Sequence, residues 1–140
     1  MAETMRMLPS TRGTEREIQE DTVLGGYHVP KGTSVLMNHM VMMMHYPQPQ
    51  EYIPERWVRG SDHPLAGTNP PYGILSFGHG KRQCIGKRFA LKYSTVLLIK
   101  MIKEFHIEYH GEPIGLVSER SSVNRADKPL RLKLTRRANV

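Results

Sequence analysis

This 140-residue chain has a single cysteine, Cys84. One thiol excludes an intramolecular disulfide framework and fits a reducing or organellar interior better than secretion. No run approaches the roughly 20 consecutive apolar residues that span a bilayer. Residues 1–9 lack a basic leader ahead of an apolar core and lack an Arg/Ser-rich amphipathic pattern, so the chain carries no visible targeting signal, as an internal fragment also would not. Internal repeats and low-complexity tracts are absent. Zinc-finger spacing, an aromatic-basic strand motif and a long Lys/Arg block are missing, so the basic residues do not point to nucleic acid. The apolar fraction, 39%, is low for an independent core, and the length allows one small domain or a piece of a larger one.

What the chain does have is positive charge: a formal +7, with an isoelectric point near 9.8. Such a balance suits an acidic partner or anionic groups on a cofactor. Ala2 to Leu8 reads as the last turns of a helix stopped by Pro9, and its uncapped start suggests that the helix begins upstream. Glu3 and Arg6 lie three apart on one face of it. Thr11 to Glu20 is polar and reads as a connection. Thr22–Leu24, Tyr27–Val29 and Thr33–Asn38, punctuated by Gly25-Gly26 and Pro30-Lys31-Gly32, predict one small antiparallel sheet. Met40 to Met44 is Met-rich, which suits flexible core filling more often than a pocket lining. Pro47 to Ser76 is irregular, and a stretch that long is normally functional. A helix from about Ile85 to Phe105 follows, apolar on so much of its circumference that it calls for burial in something larger than this chain readily supplies. The tail returns to strand at Phe105–Tyr109 and Leu130–Leu134, with a polar loop between and a frayed end at Arg136–Val140.

Cys84 sits between the glycines of Phe77-Gly78-His79-Gly80-Lys81-Arg82-Gln83 and that helix. A helix N-terminus offers free N–H groups and positive potential, and Lys81, Arg82, Lys87 and Arg88 add charge, all favouring thiolate over thiol. A buried structural thiol suits this polar, glycine-rich surrounding badly. A nucleophile with His79 as base lacks an acyl-transfer motif and an orienting Asn or Asp. Zinc lacks a second cysteine or paired histidines. Axial ligation of haem iron accounts for the whole pattern. Gly78 and Gly86 let backbone wrap the sulfur, Phe77 can exclude water beside it, and Arg82 can reach a haem propionate. A thiolate ligand pushes electron density onto iron and favours cleavage of the O–O bond.

Residues 77–90 fit F-x-x-G-x-R-x-C-x-G-x-x-x-A at every specified position and so resemble the haem loop of the cytochrome P450 family. Glu3-Thr4-Met5-Arg6 resembles that family's E-x-x-R on its K helix. Pro54-Glu55-Arg56-Trp57 resembles its P-E-R-F element, with Trp in place of Phe. The resemblance implies a buried network of Glu3, Arg6 and Arg56 fixing the cysteine loop, and a propionate contact from Arg16, for which Arg12 is close enough to compete. It implies haem b (iron protoporphyrin IX) as cofactor, with Cys84 as the metal ligand, and a mainly α fold with small antiparallel β-sheets (α+β). Residues 1–140 would form the C-terminal segment, K helix onward, of a single domain.

The stretch from Arg16 to Thr33, with Arg82–Arg88, looks most like the mitochondrial clan of animal members. That likeness implies an acidic ferredoxin as electron donor (alternatively a flavoprotein reductase), met by a face of Lys81, Lys87, Arg88 and Lys92. It also implies a small apolar substrate and location at the mitochondrial inner membrane, or alternatively the endoplasmic reticulum membrane. The parent reaction would insert one dioxygen atom into the substrate. The alternative is a haem-binding module without oxygenase activity. By the same resemblance, the long helix over the distal haem face, which carries the family's acid–alcohol pair, is not in this chain.

Overall fold

The computed structural model describes residues 1–117 and 123–138. In chain order the elements are α1 (Ala2–Met7), β1 (Gly13–Glu17), β2 (Thr22–Leu24), β3 (Tyr27–Val29), β4 (Ser34–Asn38), α2 (His39–Met42), α3 (Lys87–Glu104), β5 (Phe105–Tyr109), β6 (Leu116–Val117), β7 (Arg125–Ala126) and β8 (Leu132–Arg136). Short 3-10 turns cover Met43–His45, Pro54–Trp57 and Gly80–Arg82. The expected mixture of helices and small antiparallel sheets is what forms.

The sheets divide differently from the sequence expectation. β2 and β3 make a hairpin on their own. Its two loop residues, Gly25 and Gly26, both have positive φ, 59° and 87°, as a two-residue turn that follows strand twist requires. β4 leaves that hairpin and pairs instead with β1, Gly13 opposite Asn38 and Arg16 opposite Val35. The polar stretch expected to be a connection is therefore a strand in its middle. Its sequence, Gly-Thr-Glu-Arg-Glu, has no apolar alternation to announce it, because backbone pairing and not side-chain burial holds it. The ladder continues past the strands through Ile18 N–H to Thr33 O at 2.9 Å.

Asn38 ends β4 and caps α2, its Oδ1 accepting from Met40 N at 3.0 Å. The Met-rich run is thus α2 and the following 3-10 turn. α3 begins at Lys87, two residues later than expected, with Gly86 as its N-cap. The last strand, β8, is shifted two residues along from the expected one and pairs with β5, Leu134 opposite Ile107 and Leu132 opposite Tyr109. The loop expected after Pro113 contains the paired β6 and β7, while residues 118–122 lie outside the described residues. Of the end expected to fray, Arg136 belongs to β8, and Asn139 and Val140 lie outside the described residues.

Among the described residues, six are buried: Glu3, Arg6, Pro9, His39, Tyr46 and Arg56. Half of these carry charge. The centre of this structure is an ionic cluster between α1 and residues 46–57, and α3 contributes no buried residue to it.

Candidate functional site

The loop carrying Cys84 is shaped by backbone bonds. Gly78 and Gly80 take φ of 70° and 68°, a region where a side chain would strain the chain. Gly78 N–H donates to Leu75 O at 2.7 Å, and Gln83 N–H donates to Gly80 O at 3.0 Å. The resulting double turn brings Cys84 N–H onto Phe77 O at 2.8 Å, closing the loop on itself. Lys87 N–H then donates to Cys84 O at 3.2 Å, and α3 starts. The thiol is exposed. A Cβ on Gly86 would rest 3.7 Å from Sγ, in van der Waals contact, so glycine leaves that side of the sulfur bare.

Arg82, two residues before the cysteine, is exposed and makes no hydrogen bond or ion pair among the described residues. The donor set therefore fits a haem: one soft sulfur on a preformed loop, with a free guanidinium beside it for a carboxylate. His79, the other base in the loop, packs edge-on against Tyr72 with centroids 5.0 Å apart, and is not bonded to Cys84. Arg16 lies on β1, its Nη1 donating to Glu15 O at 2.7 Å. Arg12 is exposed and lies just ahead of that strand, its carbonyl accepting from His39 N–H.

Lys81, Gln83, Cys84, Ile85, Lys87, Arg88 and Leu91 line an open cleft of about 650 Å³. Lys81, Lys87 and Arg88 in this cleft, and Lys92 one turn along α3, have no carboxylate partner among the described residues. Their charge is therefore unspent among the described residues.

Glu3, Arg6 and Arg56 come together in one buried cluster, each at most 2% exposed. Arg6 grips Glu3 with two bonds, Nε to Oε2 at 2.9 Å and Nη2 to Oε1 at 2.8 Å. It also donates to Pro49 O and Glu51 O, at 2.7 and 2.8 Å. Arg56 Nε reaches Glu3 Oε1 at 3.4 Å, and its Nη2 donates to Gln48 O at 3.0 Å. Ile53 N–H adds a bond to Oε1 at 2.8 Å. Burial alone pushes the Glu3 carboxyl up, but the donors from Arg6, Trp57 and Ile53 overcome it and hold the group at about 2. One helix turn is thereby bolted to a segment some 50 residues away.

Two side chains in this centre escape sequence reasoning. The Tyr46 ring lies under both guanidinium groups, 5.3 Å from Arg6 Cζ and 5.9 Å from Arg56 Cζ. Burial raises its hydroxyl above the usual tyrosine range. Nothing about a tyrosine following a Met-rich run marks it out. Trp57 donates its indole N–H to Glu3 Oε2 at 2.9 Å. Here there was a signal: the chain's lone tryptophan replaces a residue that has no donor. From this centre, contacts lead to the loop. Tyr46 packs so closely on Gly73 that a Cβ there would run into its hydroxyl, and Ser76 Oγ donates to Met5 O at 3.3 Å.

The family model described as cytochrome P450 matches residues 1–134. The probable mitochondrial cytochrome P450 12d1 proximal of Drosophila melanogaster is 41% identical over 113 residues, covering 79% of this chain and 22% of that protein. The mitochondrial cholesterol side-chain cleavage enzyme of Hypanus americanus is 37% identical over 137 residues, covering 95% and 25%. A solved structure, retinoic acid bound cyanobacterial CYP120A1, superposes with a TM-score of 0.83 at 31% identity, over 96% of this chain and 31% of that one. The chain spans about a quarter of the length of the curated relatives it matches. On these grounds the chain belongs to the cytochrome P450 family, and several of its relatives are mitochondrial members.

Proposed function

We propose that this chain is the C-terminal, haem-holding segment of a haem-thiolate monooxygenase that inserts one atom of dioxygen into a small apolar substrate. The observation that carries the reading is the loop at residues 77–90, which presents an exposed cysteine sulfur on a closed backbone frame, joined to a buried ionic centre. Bound haem would supply the dioxygen chemistry. This chain's own residues would do three things toward it. Cys84 would donate the proximal sulfur, and the loop's turns would hold that sulfur in place without help from the cofactor. Arg82, and Arg16 from β1, would neutralise the propionates. Glu3, Arg6 and Arg56 would keep α1 and residues 48–57 locked together as a scaffold for the loop.

The segment reading draws on two observations: the relatives are about four times longer, and α3 leaves its apolar side chains uncovered. The unpaired cations Lys81, Lys87, Arg88 and Lys92 suit an acidic ferredoxin as electron donor, in keeping with the mitochondrial names among the relatives and with a place at the inner mitochondrial membrane.

The test uses the complete haem-loaded protein that contains this segment. Its reduced carbon monoxide complex should show the red-shifted Soret band of thiolate ligation, and Cys84→Ala should lose it, since no other soft ligand stands in this loop. Retention of that band in Cys84→Ala would refute the ligand assignment. For the partner, Lys87→Glu combined with Arg88→Glu should weaken an acidic ferredoxin at low salt and leave the band unchanged.

A further inference from the structure

The Pro54–Trp57 turn offers Glu3 two side-chain donors, and the neutral one is closer. Arg56 Nε stands 3.4 Å from Oε1, while Trp57 Nε1 stands 2.9 Å from Oε2. Glu3 and Arg6 share one helix, and Arg6 is tied to the Pro49 and Glu51 carbonyls, so their mutual bonds hold the carboxylate to the rest of the chain only indirectly. Its direct donors from outside α1 are Ile53 N–H, Arg56 and Trp57. Oε1 has three donors and Oε2 only two, Arg6 Nε and the indole. Removing the indole leaves Oε2 with nothing from beyond its own helix. The ring is also held: it packs on Tyr46, centroids 6.1 Å apart, and Tyr46 in turn lies under both arginines.

We propose that Trp57 is a positioning residue of the ionic centre, its indole N–H orienting the Glu3 carboxylate between Arg6 and Arg56 and so tying α1 to the turn at residues 54–57. It rests on the reading of that centre as the scaffold of the Cys84 loop. An indole suits the task because it donates only and never titrates in the accessible range. It therefore favours ionised Glu3 and opposes a proton on Oε2, in line with the carboxyl's position at about 2, to which the Trp57 bond contributes. Phenylalanine would keep most of the ring and its contact with Tyr46 but would leave one buried carboxylate lone pair bare.

The test compares wild type, Trp57→Phe, Glu3→Gln and the double variant in the complete haem-loaded protein. The first readout is the pH at which half the thiolate-type carbon monoxide band is lost on acidification. Trp57→Phe should raise it by about one unit, the worth of a charge-assisted hydrogen bond, and should add nothing in the Glu3→Gln background. An equal rise in both backgrounds, or none in either, would overturn the proposal, since ring packing alone predicts the former. The second readout is the indole N–H resonance, identified as the signal absent from Trp57→Phe. It should lie downfield, exchange slowly and move upfield in Glu3→Gln. If Glu3→Gln does not load haem, the wild-type resonance decides, with a position like that of free tryptophan contradicting the bond. The indole readout does not depend on the iron ligand, so failure here and failure of the Cys84 assignment are told apart.

Discussion

Glu3, Arg6 and Arg56 are 1%, 2% and 1% exposed, whereas Phe89 and Tyr93 on α3 are 74% and 60% exposed. In one region ionised side chains are sealed away, and in the other apolar ones face outward. The ionic centre is closed by the chain's own groups: a bidentate grip, carbonyls at 48, 49 and 51, and an aromatic floor. Among the described residues α3 meets the Cys84 loop at one end, β5 and Arg137 at the other, and Met1 through the Thr95 hydroxyl. The comparison teaches that hydrogen bonds close the carboxylate and every guanidinium nitrogen of this centre except Arg56 Nη1, which is buried without a partner, while burial of α3 needs surfaces from outside the described residues. A buried ion pair is costly to assemble and costlier to break, so such a centre specifies geometry more than it supplies stability.

The largest expected effect is in the ionic centre of the complete protein. Glu3→Ala leaves two buried guanidinium groups without their carboxylate and should cost about 3–5 kcal/mol in urea unfolding. Next comes α3. If it is covered in the complete protein, Phe89→Ala should cost about 3 kcal/mol, whereas a side chain left in water would cost less than about 0.5. A small value would show that α3 keeps its outward face in water in the complete protein as well.

The acid limb sharpens the ionic side of the comparison. Glu3 titrates at about 2 in the folded chain against an ordinary 4.5, so the unfolded state takes up the proton first. Its contribution, on the order of 3 kcal/mol, should be complete above pH 4.5 and disappear as pH falls from there to about 2. Urea midpoints across that range should fall in the parent and stay flatter in Glu3→Gln. Gly73→Ala should cost about 1–3 kcal/mol by forcing Tyr46 off its arginines, and Tyr46→Phe in the same chain should recover part of the loss. The smallest effect belongs to His39. Burial lowers its pKa below 6.5, and Thr11 and Thr14 hydroxyls flank its ring nitrogens. Its contribution to stability should be full above pH 6.5 and decline below it, a pH dependence absent from His39→Gln.

How much of this was legible before the structure varied with the kind of signal. Glycines at 25 and 26 announced the hairpin, and the spacing through residues 77–90 placed the loop and the start of α3 within two residues. β1 was not legible, because a strand of Thr, Glu and Arg held by its backbone has no hydrophobic period. The partner of β4 could not be read for the same reason, and adjacency in sequence pointed to the wrong strand. In the ionic centre, the E-x-x-R spacing gave the Glu3–Arg6 grip, since both lie on one helix turn. The Tyr46 floor spans 40 residues of sequence separation, where no local pattern carries information, and the Trp57 bond spans 54, its one sign being a donor-bearing ring in place of phenylalanine.

The most direct test of the contrast is the amide spectrum and thermal melt of the 140-residue chain expressed alone, without haem. With α3 uncovered and a core this sparse in apolar burial, the spectrum should be poorly dispersed and the melt should lack a cooperative step. Sharp, well-dispersed amide signals with a cooperative transition would show that α3 needs no cover, and would contradict the account.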